Sequence, residues 1–511
     1  MSEEKEMKEN EGFILAQYTI RSKQQYIFQT NRILEIVGGS KIISDSWDEL
    51  FNQANKAGLI TRRINEGDFC MEIVQKSFDD GSLHMVELFR GGGNDTVLFN
   101  SRDSYVKANK AFSYKLMEKY PGIIPMSVCC LYTGDYNKDY RDLMKEAEAE
   151  KNRMIPGQGN FTLPFSMMDR TTLQPYSKVI TIEGIQSRIS DERFSKREVG
   201  QQQRNRDQSI RMLDDMVTKK GEESLLAVVH ADGNNMGVKI SKMLGKNNNY
   251  DACVTMMREF TADTANAFVE DGLAAMEDCQ KRLREKYKGK NEKAYFFRKV
   301  IADGDDMTFI CNARFVMEYV RAYLQSVQTY KARHQSEWEY SSCAGICVFH
   351  SHYPFARAYA LAEQACDSAK KQVHGKMAVE EGWADFHYVH NGIGGDLEQI
   401  RASQGTDKCM ARPWQLTGTV RPLNEGRQYS KLEELEKVLR ECKVSRSDIK
   451  TIGSEFESGE VYGQQELIRI YGHHKDLKSK LKEIYGTEEQ NMLRNIYDLA
   501  EMYDLWYGEE R

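Results

Sequence analysis

The sequence predicts an α/β (α+β) fold built from two copies of one unit, followed by a helical domain. Three observations carry that expectation. Strand-like and helix-like stretches alternate in the same order from residue 13 and again from residue 225. The first strand and a turn-rich hairpin lie 78 residues apart in both copies (Phe13 to Gly91, Leu225 to Asp303), and the internal period is 225 − 13 = 212. From residue 429 onward apolar residues recur at three and four, the spacing of helix faces.

Taken in order, MSEEKEMKENEG reads as a polar leader, and Phe13 to Ile20 as the first strand. SKQQYIFQTNRILEIV is helix-like and is expected to stop at Gly38-Gly39-Ser40. A second helix from Lys41 to Ala57 keeps Ile42, Ile43, Trp47, Leu50 and Phe51 on one face. Strands follow at FCMEIVQ, HMVELF and Thr96 to Phe99, then a helix over Ser104 to Lys119, a strand from Met126 to Tyr132 and the helix DYRDLMKEAEAEKNRM. Residues 163–224 are polar and mixed in sign, as in a solvated linker or an exposed helix. The pattern then returns: a strand Leu225 to Ala231, a helical stretch from Ala252 to Tyr287, a hairpin at 303–306, a helix Phe315 to Ala332, a strand Ser342 to Phe349 and a helix opened by Pro354. EEGWADFHYVHNG reads as a closing strand and RPWQLTG as a loop-like connector. The expected divisions are a disordered leader (1–12), a first unit (13–162), a connecting region (163–224), a second unit (225–395), a connector (396–428) and a helical domain (429–511).

The composition narrows the function classes. A formal charge of −6 gives no global basic field, so any nucleic-acid contact has to be local. Eleven cysteines occur without a C-x-x-C pair, which argues against a zinc ribbon and for a reducing, cytoplasmic setting. No apolar run approaches the ~20 residues that span a bilayer, so no membrane partner is expected.

The chemistry concentrates in RKVIADGDDMTFIC, Arg298 to Cys311, where two strands flank an acidic turn. Such a tip is either a solvated turn or a divalent-metal site. The strand ending in Asp232-Gly233-Asn234 supplies the discriminating context. If it neighbours the hairpin in one sheet, Asp232, Asp305 and Asp306 meet at one edge as oxygen ligands suited to Mg²⁺ (or Mn²⁺) carrying nucleotide phosphates. Gly233 and Gly304 would let a triphosphate approach the backbone, and Lys370 at the end of a later helix would meet its phosphates. Two metals there would support palm-type nucleotidyl transfer. The bland alternative for each motif alone is a turn or the cationic end of a helix.

HADGNNMG, ADGDDMTFIC, SHYPFARAYALAEQACDSAKK and WADFHYV resemble the second palm of the large polymerase-cyclase subunit of type III CRISPR effector complexes. NRILEIVGGSKIIS and FRGGGNDTVLF resemble its first palm. The resemblance covers residues 10–390 and implies two ferredoxin-like palms that join ATP, or another NTP, into cyclic oligoadenylate messengers in antiviral defence. It implies Asp232, Asp305 and Asp306 as catalytic, metal-binding carboxylates. The partners it implies are effector subunits with guide and target RNA, and a homo-oligomer is compatible with it. The family's G-G-D-D is here Asp303-Gly304-Asp305-Asp306, and neither its histidine-aspartate nuclease motif nor its zinc insertion is found, as in a compact or stand-alone relative. Aligning Gly92-Gly93-Asn94-Asp95 on Asp303 to Asp306 puts Asn94 at the place of Asp305 and leaves one metal ligand of three in the first palm. Gly92, Gly93, Asn94 and Ser40 are then expected to line the cleft for an acceptor nucleotide, with Gly233, Asn234, Gly304 and Lys370 on the donor side. Two other readings remain: a subunit that binds nucleotide or RNA without turnover, and a templated polymerase.

Overall fold

The computed structural model describes residues 12–30, 32–65, 68–154, 165–182, 184–204, 216, 224–286, 292–373, 380–390, 394–419, 426–486 and 488–507. All but the last residue of the expected leader, much of the polar run after residue 204 and part of the connector lie outside them. The chain forms two compact units, one from residues 1–211 and 235–265, the other from 212–234 and 266–511.

In the first unit, β1 (Ile14–Ile20) is followed by α1 (Lys23–Phe28), α2 (Ile33–Lys56), β2 (Thr61–Arg62), α3 (Met71–Asp79), β3 (Met85–Gly91), β4 (Asn94–Phe99), α4 (Arg102–Lys119), β5 (Pro125–Leu131) and α5 (Tyr136–Arg153). The sheet order is β2-β3-β4-β1-β5. Its four-stranded part, β3-β4-β1-β5, is antiparallel throughout, the ferredoxin-like arrangement.

Two expectations fail here for packing reasons. Residues 71–79 form a helix: Met71, Val74 and Phe78 are buried at spacings of three and four, whereas Ile73, which strand alternation would have buried, is exposed. Gly38-Gly39-Ser40 does not end a helix but lies inside α2. The reason is β6 (Lys178–Ile182), β7 (Ile185–Ile189) and α6 (Asp191–Arg204) of the connecting region, whose helix crosses α2 at this point. A Cβ on Gly38 would lie 1.8 Å from the Lys196 carbonyl oxygen, and one on Gly200 2.0 Å from that of Leu34. Close backbone packing thus outweighs the ~1 kcal/mol by which each helical glycine is disfavoured. Nor is this part of the region solvated. Buried Glu35 accepts from Arg193 and Arg197, Arg193 also reaches Asp169 at 3.2 Å, and buried Lys196 donates to Glu192.

β8 (Leu225–Gly233) begins the second sheet, but the helices after it, α7 (Met236–Leu244) and α8 (Tyr250–Ala265), belong to the first unit. Leu244, Tyr250, Cys253, Val254 and Met257 join the core formed by Phe69, Val74, Phe78 and Leu88. The second unit resumes with a π-helical turn (Asn266–Glu270), α9 (Asp271–Lys286), β9 (Phe297–Asp303), β10 (Asp306–Asn312), α10 (Val316–His334), β11 (Ser342–His350), α11 (Phe355–Lys370), β12 (Gly382–Tyr388), α12 (Leu397–Gln404) and β13 (Trp414–Thr417). Its sheet runs β13-β12-β11-β8-β10-β9. The part β9-β10-β8-β11 repeats the first sheet strand for strand, and β12 adds parallel to β11. The stretch RPWQLTG is therefore not only a connector: Trp414 is buried and starts an edge strand on β12.

The tail is helical as expected: α13 (Tyr429–Glu441), α14 (Arg446–Ser458), α15 (Glu460–His473), α16 (Leu477–Tyr485) and α17 (Glu489–Met502). It is fastened by polar as well as apolar contacts. The Asp498 carboxylate accepts from the Ala411 and Arg412 amides and the Arg412 guanidinium, and Trp506 Nε1 donates to the Ala313 carbonyl at 3.1 Å. Among the described residues no helix is long and apolar enough to cross a membrane.

Candidate metal and nucleotide site

β8 and β10 are neighbours, so the condition set by the sequence is met. Their register pairs Ala231 with Met307 and His230 with Thr308. One step toward the turn, Asp232 stands across from Asp306, and because strand side chains alternate, His230, Asp232, Asp306 and Thr308 share a face. Asp303 and Asp306 pair across the hairpin, leaving Gly304 and Asp305 as its tip. Gly304 has φ 61°, the left-handed region that favours glycine.

α11 brings the cation. This helix lies directly on β11 because Gly345 has no side chain; a Cβ there would be 1.9 Å from the Ala362 carbonyl oxygen. Ala362, Ala365 and Ala369 are all buried. At the end of the helix Lys370 pairs with Asp232 and donates to the Gly233 carbonyl at 3.2 Å. Ser342 Oγ donates to the Asp232 carbonyl at 3.0 Å, which fixes the strand end.

The charges are not balanced. Asp232, Asp305 and Asp306 face one lysine, so the fully ionised group carries −3 + 1 = −2. Burial, then Asp232, push the Asp305 carboxyl up to about 6; burial, Asp232 and Asp305 push Asp306 up to about 8. Burial is the largest influence on the Lys370 ammonium and opposes it, but the charge and hydrogen bond of Asp232 together with Cys366 and Asp305 outweigh it, and the net shift is upward. A divalent cation would cancel the residual charge, and the carboxylate oxygens are donors of the type that Mg²⁺ or Mn²⁺ takes. The residues present therefore fit such an ion.

One predicted nucleotide ligand is turned inward instead. Asn234 is buried; its amide donates to Ser341 Oγ at 2.8 Å and to the Glu381 carbonyl at 2.9 Å, bracing the end of β8 within the fold. Sequence reasoning also missed His230. One ring nitrogen and carboxylate oxygens of Asp232 and Asp306 lie within 4.8 Å of one another. The signal was available, since a residue two before Asp232 on a strand must share its face.

The first sheet corrects the alignment of the two hairpins by one residue. Tyr18 pairs with Asp95 as Ala231 pairs with Met307, and Gly91 pairs with Asn94 as Asp303 pairs with Asp306. Thr19, Gly93 and Asn94 thus occupy the places of Asp232, Asp305 and Asp306, and no metal ligand of the three remains. Asn94 matches Asp306, not Asp305. Asp95, expected to be the surviving ligand, is fully buried beside Arg90 at 3.6 Å, with its carboxyl pushed up by burial and by Glu87. Gly92 and Gly93, with φ 58° and 66°, form the two-residue tip of a type I′ hairpin, and Lys23 Nζ donates to the Gly93 carbonyl at 2.6 Å. Ser40 sits half-buried within α2 rather than in a glycine turn.

Residues 225–380 match the family model of the Cas10/Cmr2 second palm domain. The likeness to the polymerase-cyclase subunit drawn from HADGNNMG and ADGDDMTFIC is thereby borne out over that stretch. No curated protein matches the chain. Among solved structures, Csm1 of T. onnurineus is similar with a TM-score of 0.51 at 12% identity, covering 97% of this chain and 69% of that one. A Csm1–Csm4 cassette in complex with pppApA gives 0.48 at 10% identity over 97% and 71%. The cassette in complex with cA4 gives 0.45 at 12%, covering 85% of this chain, which spans 62% of that chain's length. At these identities the first likeness speaks for the fold alone.

Proposed function

Proceeding from a palm of the Cas10/Cmr2 kind at residues 225–380, we propose that this protein is a metal-dependent nucleotidyltransferase that joins nucleoside triphosphates, ATP in the first place, into cyclic oligonucleotide messengers. The observation that carries the reading is the convergence of Asp232, Asp305 and Asp306 on one sheet edge beside the Lys370 ammonium. Antiviral defence alongside effector subunits and RNA is the setting that the sequence resemblance implies, and the cysteine usage argues for the cytoplasm.

Each residue then has a chemical task. The three carboxylates would hold divalent ions, which when bound would activate an attacking hydroxyl and neutralise a pyrophosphate leaving group. Lys370, at the end of α11 beside Asp232, would meet the β- and γ-phosphates as a point charge. Gly304 offers backbone without a side chain at the hairpin tip, where phosphates approach most closely. In the step itself a ribose hydroxyl oxygen bonds to the α-phosphorus, the bond to the β-phosphate oxygen breaks, pyrophosphate leaves and the hydroxyl proton passes to solvent.

The test is to incubate the purified protein with each NTP and Mg²⁺ or Mn²⁺, with and without RNA, and to identify products by mass spectrometry. Pyrophosphate together with a cyclic product from ATP supports the reading. Nucleotide binding without turnover under every condition, with small RNA co-purifying, would establish a binding subunit instead; primer extension on a template would establish a polymerase.

A further inference from the structure

We propose that His230 supplies a nitrogen ligand to this metal centre, so that the site takes Mn²⁺ in preference to Mg²⁺. The inference rests on reading the site as a divalent-metal centre and adds a residue and an ion preference that the carboxylate trio does not contain.

Position comes first. His230 precedes Asp232 by two on β8, on the same face, and its cross-strand partner Thr308 follows Asp306 by two on β10. A ring nitrogen of His230 falls within the 4.8 Å group that includes Asp232 and Asp306. An ion with bonds of about 2.1 Å holds opposite ligands about 4.2 Å apart, so drawing the three together requires a closure of roughly half an ångström. Side-chain rotation supplies that without moving a strand.

Burial adds a second argument. His230 is only 6% exposed, on a strand whose other residues before Asp232, Leu225-Leu226-Ala227-Val228-Val229 and Ala231, are apolar. An imidazole placed there needs polar partners. Thr308 Oγ1 lies 3.3 Å from Nδ1 and the Tyr359 ring meets it edge-on at 5.7 Å, contacts that set the plane of the ring. Fixing the plane of the ring is the usual task of an outer partner of a metal-binding histidine.

The chain supplies its own comparison. The first sheet pairs Gln17 with Thr96 where the second pairs His230 with Thr308. The threonine is present in both sheets, but the histidine occurs only in the sheet that has the acids. A histidine serving merely as the threonine's partner would have no reason to go with Asp232, Asp305 and Asp306.

Ligand chemistry then sets the preference. Mg²⁺ is held by oxygen and gives up water reluctantly, whereas imidazole nitrogen favours first-row transition ions. Mn²⁺, which accepts carboxylate and nitrogen together and is paramagnetic, is the probe. Pulsed electron-spin-echo spectroscopy of the Mn²⁺-loaded full-length protein is expected to show modulation from a directly bound imidazole nitrogen. His230→Gln, which installs the first sheet's residue, is expected to abolish that modulation and to lower the Mn²⁺ over Mg²⁺ affinity ratio, measured by competition, by about tenfold. Circular dichroism and the melting curve show whether the variant is folded; if it is not, His230→Asn provides the same readout. Modulation and affinity ratio both unchanged in a folded variant would overturn the inference while leaving the carboxylate centre intact. Absence of Mn²⁺ binding by the wild-type protein would overturn the metal-centre reading itself.

Discussion

Lys370 occupies the ground that a metal would share, and this gives it two opposing effects. Its ammonium pairs with Asp232, so it would compete with an incoming ion for that carboxylate and, once displaced, would be available to phosphate. Lys370→Met should therefore bind Mg²⁺ about tenfold more tightly in the absence of nucleotide, the factor expected for one charge-assisted hydrogen bond, yet bind ATP in the presence of Mg²⁺ more weakly. Isothermal titration of both ligands checks the opposite signs. Two losses of affinity would show that the lysine only holds the site together. The acids themselves were legible in the sequence because their chemistry depends on neighbouring strands, and strand adjacency follows from the order of elements. The one-residue error in the first hairpin was not avoidable at that level. GGGND contains no side chain that marks which two residues form the turn, and only the cross-strand pair Gly91 with Asn94 reveals it. His230 was readable by alternation but was overlooked among apolar neighbours.

At the scale of elements, the seat of α11 on β11 sets where Lys370 lies. Gly345→Ala would place a methyl 1.9 Å from the Ala362 carbonyl oxygen, and overpacking of this kind costs about 1–3 kcal/mol. Gly472→Ala in α15, where nothing beyond its own helix backbone and chain neighbours lies within 4 Å of the added methyl, should be neutral or stabilising by up to about 1 kcal/mol, since alanine is the better helix former. Urea unfolding of both variants measures the contrast; equal effects would mean that α11 has room to shift. The same packing logic explains which elements the sequence misassigned. Gly38-Gly39 resembles a helix stop because the residues that require its bareness, Lys196 and Gly200, lie more than 150 positions later. FCMEIVQ contains both a strand alternation and a helix stripe, and burial of Val74 and Phe78 rather than Ile73 selects the helix. Strands and helices in their repeated order were otherwise legible, because both copies bury continuous apolar faces.

For the molecule as a whole, the duplication is topological and the chemistry is not duplicated: both sheets keep the ferredoxin-like order, but the carboxylates belong to the second. The tail's polar fastening, Arg412 with Asp498 and Glu501, went unread because isolated arginines and acids along a helix look like a solvated surface. It has a consequence for pH. His387, buried beside Arg401 and Arg412, is pushed down to about 4, by burial first and then by those guanidinium groups. Unfolded, it takes up a proton near 6.5. The folded state resists that proton, so stability is complete above pH 6.5 and declines as pH falls toward 4. His387→Gln should remove part of that decline, up to roughly 3 kcal/mol for a shift of this size, and melting temperatures of both proteins between pH 7 and 4.5 test it. Parallel curves for the two would show that His387 does not contribute. The central proposal is that the acidic hairpin of the second sheet performs nucleotidyl transfer. Its most direct test is the rate of pyrophosphate release from ATP with Mg²⁺ or Mn²⁺, compared between the wild-type protein and Asp305→Ala with Asp306→Ala. The expected result is a wild-type rate that falls by at least about 100-fold when these two carboxylates are removed. Release at the wild-type rate in the doubly substituted protein would contradict it.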